Sequence, residues 1–184
     1  IVPAFADWCT VDLADGDDLR KVAVAHVDPS KVELARAYQE KYPARREDPG
    51  GTWEVIRTGK SQVYSDISDD LLRKGARSAE HYEMLSTVGM RSIMIVPITV
   101  RERTVGAMAF VAAESLRNFD ADDLARAEEL GRRAGTAIEN ARLFAAERQA
   151  REHVALLAKA GEVFSLAASD RKSTRLNSSH EDLS

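Results

Sequence analysis

The chain has 184 residues, a net charge of −4 and one cysteine, and 44% of its residues are apolar. This length and composition suit one globular domain with an appendage and exclude a disordered chain. The acidic balance without a basic stripe argues against nucleic-acid binding, one cysteine excludes an internal disulfide, and no apolar run reaches the ~20 residues of a membrane span.

The first half of the chain predicts a hairpin followed by helices. Two alternating stretches, FADWCTVDL and LRKVAVAHV, predict strands, and ADGDD between them predicts a β-turn. The stretch DPSKVELARAYQEKYP predicts a helix that Asp28 or Ser30 caps and Pro43 ends. After the loop REDPGG, we predict a short helix between Gly51 and Gly59 and a short strand in QVYSDI.

The second half of the chain predicts a further hairpin and one long helix. Two helices, SDDLLRKGA and SAEHYEMLSTVG, have Ser68 and Ser78 as predicted N-caps. The apolar strand RSIMIVPITV contains Pro97, which favours an edge position or a bulge, and RTVGAMAFVAA is its partner across the tight RER turn. A long helix follows, with Asp120 as its predicted N-cap. This order predicts an α+β fold with an antiparallel sheet.

An apolar seam at spacings of three and four runs along the long helix, heptad-like but short and rich in alanine. It comprises Ala127, Leu130, Ala134, Ala137, Ala141 and Phe144. The polar stretch ERQARE interrupts this seam, and apolar residues resume out of phase at Val154, Leu157 and Phe164. We therefore predict a homodimer through residues 127–144 and a linker helix over residues 146–169.

Several motifs in the same order carry a resemblance to a known family. The hairpin RSIMIVPITVRERTVGAMAFV resembles the C-terminal hairpin of GAF domains. Three further stretches resemble segments of an actinobacterial-type GAF subfamily, namely ADWCTVDL with LRKVAVAHVDP, VIRTGKSQVYSDISDDLL, and FDADDLARAEELGRRAGTAIENARLF. The resemblance covers residues 3–144 and implies a GAF-like antiparallel sheet of about six strands, with helices on both faces and a long C-terminal signalling helix.

The resemblance also implies a function. It points to a non-catalytic sensory or regulatory domain of a bacterial signal-transduction protein, whose output domain is a histidine kinase, as in two-component systems, or a serine/threonine phosphatase. Such a domain binds a small molecule or a partner in the cytoplasm and relays a conformational change through its C-terminal helix. The sequence identifies no cofactor. The predicted ligand contacts, whose aromatic members also suit a core, are Trp53, Tyr64, Tyr82, Arg91, Ser92 and Met94.

Two other functions stay open. The domain is a ligand-free dimerisation spacer, or it is a redox-active GAF-fold protein that uses Cys9, although a lone cysteine is often a small buried apolar residue. His26 is a candidate ligand or metal contact, but nothing near it completes a metal-ligand set, which favours a structural histidine bonded to the Asp-Pro turn. We expect His81, in a polar helix, to be exposed.

The two ends of the chain carry separate predictions. We assign residues 1–145 to the GAF-like domain, without the N-terminal helix that the resemblance implies, and Ile1 in place of Met favours a chain cut from a longer protein. The stretch LLAKAGEVFSLAAS resembles the helix that opens many GAF domains, so the start of a second domain is the alternative to a simple linker over residues 146–169. DRKSTRLNSSH resembles a translated sequencing adapter, which predicts that residues 170–184 are a non-native tail.

Overall fold

The computed structural model describes the backbone of residues 1–181 and the side chains of residues 1–154 and 157, except at positions 35 and 39. The chain forms two compact units, Ile1–Ile138 and a second unit that begins at Glu139. Within the described residues the elements are β1 (Trp8–Asp15), β2 (Asp18–His26), α1 (Ser30–Lys41), α2 (Thr52–Thr58), β3 (Gln62–Tyr64), α3 (Asp69–Gly75), α4 (Ala79–Val88), β4 (Ser92–Val100), β5 (Arg103–Ala112) and α5 (Ala121–Glu181).

The strands form one antiparallel sheet in the order β2-β1-β5-β4-β3. Both predicted hairpins are confirmed, as is the α+β class with its long C-terminal helix. The described residues contain five strands rather than about six. A register shift between Val11 and Asp12 interrupts the pairing of β1 with β2, and it sets the position of Asp12 opposite Lys21.

Short-range chemistry explains the turns between paired strands. The turn between β4 and β5 has two central residues, Arg101 and Glu102, with φ of 48° and 40°. Positive φ at both positions is the type I′ geometry, whose twist matches that of the two flanking strands. In the turn between β1 and β2, Gly16 adopts a φ of 62°, which glycine accepts without steric cost.

Three of the predicted helix caps are confirmed. The side-chain oxygens of Ser68, Ser78 and Asp120 each accept a hydrogen bond from the backbone N–H three residues later. Of the two predicted caps of α1, Ser30 is wrong, because it lies inside the helix after Pro29, which makes no side-chain cap. Asp28 nevertheless orders the approach to α1, since its carboxylate accepts from the Ser30 N–H at 2.9 Å.

Helices cover both faces of the sheet. On one face, α5 packs on the core that includes Cys9, Leu13, Met94, Val96, Ile98, Met108 and Phe110. On the opposite face, Val55 and Ile56 of α2 pack on Ile95, Ala107 and Ala109. Alternate residues of each strand therefore belong to different cores, as the pleat requires.

Pro97 lies at a partly open position of β4. The strand is second from the edge of the sheet rather than at it, because β3 lies outside it. However, β3 pairs only with Ile93–Ile95, so the ladder has already ended where Pro97 lacks a backbone N–H. The predicted irregularity occurs one step later, as a register shift between Ile98 and Thr99.

The C-terminal predictions extend past the described residues. The backbone of α5 is helical through Glu181, which includes most of the predicted non-native tail, and positions 182–184 lie outside the described residues. The resemblance to the start of a second domain rests mostly on side chains between positions 156 and 169, and all but that of Leu157 also lie outside them. Both statements about this region stay predictions.

Candidate functional site

A cleft of about 550 Å³ lies against the outer hairpin of the sheet. Its walls come from β1, β2, α1, the segment after α1 and the first residue of α2. The volume lies within the range of roughly 300–1,000 Å³ that small-molecule pockets occupy. The charged members of the lining are Asp12, Asp18, Lys21, Arg36 and Glu40.

A largely buried ion pair forms part of the cleft lining. The Lys21 Nζ lies 3.5 Å from Asp12 Oδ1, and only 20% and 5% of the two side chains are exposed. The Thr10 hydroxyl donates to Asp12 Oδ2 at 3.4 Å. Burial lowers the pKa of the Lys21 ammonium, and the neighbouring Asp12 carboxylate only partly opposes this shift. A desolvated charged pair in a cleft is a functional-site candidate because it offers both charges to a ligand.

The segment that follows α1 forms one wall of the cleft, and side chains outside the cleft hold it by hydrogen bonds. The Arg77 guanidinium donates to the Pro43 carbonyl at 2.8 Å and to Asp48 Oδ2 at 2.6 Å. The Trp53 indole N–H donates to the Ala44 carbonyl at 3.2 Å. Because Pro43 and Ala44 line the cleft, these bonds hold the wall in place.

The GAF domain family model matches residues 5–139, which is more than half of the chain. The chain belongs to the GAF domain family. The resemblance noted from the two hairpins and the closing helix is thereby confirmed, whereas the actinobacterial-type subfamily stays a prediction.

Solved GAF domains share the fold at low sequence identity. A domain of a protein assigned as a two-component sensor histidine kinase from Sinorhizobium meliloti is 20% identical, with a TM-score of 0.54 over 78% of this chain and 85% of that chain. A GAF domain/HD domain protein from Geobacter sulfurreducens is 17% identical, with a TM-score of 0.54 over 75% and 83%. The GAF-B domain of DevS from Mycobacterium smegmatis is 16% identical, with a TM-score of 0.52 over 78% and 85%. No curated protein matches the chain.

The six predicted ligand contacts lie in α2, β3, α4, β4 and the residue before β4. Trp53 is 3% exposed and lies behind the cleft wall, bonded to Ala44. The Tyr64 hydroxyl donates to Gln62 Oε1 at 3.4 Å. The Tyr82 hydroxyl donates to Asp69. The Arg73 guanidinium donates to the same hydroxyl and lies over the Tyr82 ring.

The other three predicted contacts lie at the start of β4 or just before it. Arg91 is exposed, and its carbonyl accepts from the Ile67 N–H at 2.8 Å. Ser92 is fully buried and donates to the Arg117 carbonyl at 2.8 Å. Met94 is fully buried in the core beneath α5, on the sheet face opposite α2. None of the six predicted residues lines the cleft.

The sequence reasoning missed the ion pair of Asp12 and Lys21. The alternation gave no sign of it, because a charged residue between the apolar residues Val11 and Leu13 of a strand predicts a solvent-facing position.

One predicted histidine role is confirmed and one is wrong. His26 is bonded to the Asp-Pro turn as predicted, since its Nδ1 accepts from the Asp28 N–H at 2.7 Å. His81 is 4% exposed instead of exposed. It stacks on Tyr42 at 4.2 Å, its Nε2 lies 2.9 Å from the Tyr38 hydroxyl, and its Nδ1 accepts from the Arg77 N–H at 2.9 Å. Tertiary contact with α1 accounts for its burial.

Cys9 is a buried residue of the core beneath α5. Burial raises the pKa of its thiol to about 11, so the thiolate that acts in redox chemistry is disfavoured at neutral pH. This environment gives no support to the redox interpretation of Cys9.

Neither a metal-ligand group nor a membrane-spanning helix is found in the part of the chain that the structure describes. Within it, no three or more His, Cys, Asp or Glu side chains are grouped so as to hold a metal ion. No helix in the same part is both long and apolar enough to cross a membrane.

Proposed function

We propose that this GAF domain is a sensory, non-catalytic domain of a cytoplasmic bacterial signal-transduction protein, and that a small molecule binds in its cleft. The observation that carries the proposal is the cleft with its buried pair of Asp12 and Lys21. A buried ion pair contributes little net stability, because the loss of water around both charges offsets their attraction, and a pair of this kind in a cleft is therefore a candidate for ligand binding.

A relay from the cleft to α5 is the second part of the proposal. Asp12 belongs to β1, which pairs with β5, and β5 pairs in turn with β4. The N-terminal part of α5 lies against the β4 backbone, since a Cβ added at Gly131 would meet the Pro97 carbonyl oxygen at 2.4 Å. A shift of the sheet is therefore passed to α5 by direct contact, without a flexible side chain between them.

For the output we propose a histidine kinase or a serine/threonine phosphatase. The similarity to a domain from a sensor histidine kinase of Sinorhizobium meliloti supports the first of these. The phosphatase rests on the sequence resemblance alone. In either case the regulated activity belongs to another part of the parent protein.

A homodimer through α5 needs a narrower surface than the predicted seam. Ala127, Leu130 and Ala134 pack on the core of their own sheet. The later part of the seam is exposed, and Phe144 is 72% exposed. We propose that Phe144 and Leu157, which is 62% exposed, contact a second copy. Phe144→Glu with Leu157→Glu is expected to give a monomer by light scattering, whereas Gln149→Glu is not.

The experiment that tests sensing is a thermal-shift screen of the 184-residue chain with a metabolite library. A ligand at 100 times its Kd stabilises the folded state by about 2.7 kcal/mol, which raises the unfolding midpoint. Ala44→Trp would fill the cleft and abolish the shift, and Ala79→Trp, at an exposed position on α4, is the matched control.

Hydrogen exchange with the ligand from that screen tests the relay. We expect protection at the cleft residues of β1 and β2 and a changed exchange rate in residues 121–138 of α5. The sensory proposal would be overturned if no compound in the library raised the unfolding midpoint in a way that Ala44→Trp abolishes. That result would favour the ligand-free spacer. A ligand that protects the cleft but leaves α5 unchanged would overturn the relay.

A further inference from the structure

The chemistry of the cleft limits the class of ligand that fits it, provided that the proposed sensory function holds. Lys21 carries three N–H donors, and its contact with Asp12 at 3.5 Å is longer than the 2.7–2.9 Å of a good charge-assisted hydrogen bond. Its ammonium is thus largely removed from water and has Asp12 only at long hydrogen-bond distance. A carboxylate from a ligand would accept shorter hydrogen bonds from it.

The opposite wall repeats the same two charges. Arg36 and Glu40 lie four residues apart on α1, so their side chains share one side of the helix. Arg36 pairs with Glu33 at 3.0 Å, but both side chains are more than half exposed. Since an exposed pair of this kind contributes little, Arg36 is able to exchange Glu33 for a ligand.

Apart from the five charged residues and Thr52, the lining is aliphatic. Leu19, Val22, Val24, Pro43 and Ala44 line the cleft, and its lining among the described residues contains no aromatic side chain. Planar heterocycles such as nucleotide bases gain much of their binding energy from stacking on aromatic rings. The cleft offers apolar contact without that stacking surface.

We infer that the cleft binds a small aliphatic zwitterion of the amino-acid class. Its carboxylate lies between Lys21 and Arg36, its ammonium lies beside Asp12 and Glu40, and its side chain contacts the aliphatic wall of β2. A zwitterion brings a group of opposite charge to both the basic and the acidic residues of the cleft. A ligand with one charge interacts favourably with only one of these two sets.

Calorimetric titration of the 184-residue chain with aliphatic L-amino acids tests this inference. Leucine is compared with 4-methylpentanoate, which lacks the ammonium, and with 3-methylbutylamine, which lacks the carboxylate. We expect the amino acid that binds best to bind at least about tenfold more tightly than its single-charge analogues.

Variants of the charged residues complete the test. Asp12→Asn and Lys21→Met are each expected to weaken binding by about tenfold or more, whereas the exposed matched controls Asp66→Asn and Lys60→Met retain it. Because Asp12 is buried, Glu40→Gln and Arg36→Gln on the exposed side of α1 give a second pair that does not disturb folding. These two variants are expected to weaken binding in the same direction.

The outcomes separate the ligand class from the sensory role. Single-charge analogues or nucleotides that bind as tightly as amino acids would overturn the inference, as would binding that none of the four cleft variants changes. If no amino acid binds but a library compound does, and Ala44→Trp blocks it, the ligand class is wrong and the sensory function stands. If neither binds, both are wrong.

Discussion

Gly135 of α5 lies so close to Thr99 of β4 that a Cβ added to the glycine would be 2.0 Å from the Thr99 carbonyl oxygen. One helical turn earlier, Gly131 has the same relationship to the Pro97 carbonyl oxygen, at 2.4 Å. A backbone carbonyl cannot move aside as a flexible side chain can. These two glycines therefore set the distance between the helix and the sheet.

Alanine at position 135 is expected to destabilise the domain. Gly135→Ala should lower the free energy of unfolding by about 1–3 kcal/mol, because the added methyl group forces the helix away from Thr99. Urea denaturation measures the change. Gly75→Ala in α3 is the matched control, since a Cβ there meets no atom within 4 Å. Equal stability of the Gly135→Ala variant would contradict the close approach of helix and sheet.

The buried Asp7 carboxylate is expected to make the free energy of unfolding depend on pH in the acid range. Its Oδ2 accepts hydrogen bonds from the Ala113 N–H, the Ser115 N–H and the Ser115 hydroxyl at 2.7–2.9 Å. Burial alone would raise the pKa of this carboxyl group, but the bonds from Ser115 and Ala113 outweigh it and lower the pKa below 3.8. The stabilisation is therefore present above pH 3.8 and is lost as pH falls through the folded-state pKa.

Asp7→Asn is expected to cost about 1–3 kcal/mol at neutral pH, because one amide oxygen replaces a carboxylate facing three donors. Its unfolding free energy should also fall less steeply than that of the wild type below pH 3.8. Urea titrations at several pH values measure both effects. The exposed Asp66→Asn is the control, and a variant that keeps the wild-type pH dependence would contradict the role of Asp7.

His81 is expected to lower stability when it is protonated. Burial, together with the nearby Arg77 charge, lowers the pKa of its imidazole below 6.5, whereas Asp48 opposes that shift. Protonation would also cost the hydrogen bond that Nδ1 accepts from the Arg77 N–H. Because the unfolded chain takes up the proton first, stability is full above pH 6.5 and falls as pH drops from there towards the folded-state pKa.

The measurement for His81 is the unfolding midpoint between neutral and mildly acidic pH. His81→Gln should remove most of the fall in stability that begins near pH 6.5, whereas His153→Gln, at an exposed position on α5, should leave it unchanged. A fall of the same size in His81→Gln would show that another group causes the pH dependence.

Cys9 is expected to be unreactive in the folded domain. With a pKa of about 11, its thiol is ionised to about one part in a thousand at pH 8, and burial also blocks access. A disulfide reagent should therefore label Cys9 only as fast as the domain unfolds, and at once in concentrated urea. Rapid labelling of the folded chain would contradict the buried position and revive the redox alternative.

Local features were predictable because their causes lie within a few residues. The caps at Ser68 and Ser78 and the turn at Arg101–Glu102 depend on backbone conformation and neighbouring N–H groups. The local sequence was therefore enough to predict them. At α1, Pro29, with its fixed φ, precedes Ser30 at the start of the helix, so the bond to the first helical N–H comes from Asp28 and not from Ser30.

Long-range features were not predictable in the same way. His81 lies on a polar stretch of sequence, yet Tyr38 and Tyr42 of α1 bury it from a distance of about 40 positions along the chain. The α5 seam has a spacing that fits a second helix as well as a sheet. In the structure, Ala127, Leu130 and Ala134 pack on the sheet of the same chain. The spacing of the apolar residues alone does not distinguish this packing from a contact with a second helix.

The sequence by itself determined the GAF family, the two hairpins and the long closing helix, because strand alternation, turn residues and helix caps act over short distances. Only the tertiary structure decided which face each residue occupies. It placed Met94 in the core beneath α5, buried Ser92 against the Arg117 carbonyl, and brought Asp12 and Lys21 together in a cleft. The pleat assigns alternate residues to opposite faces, but packing decides which face forms the cleft.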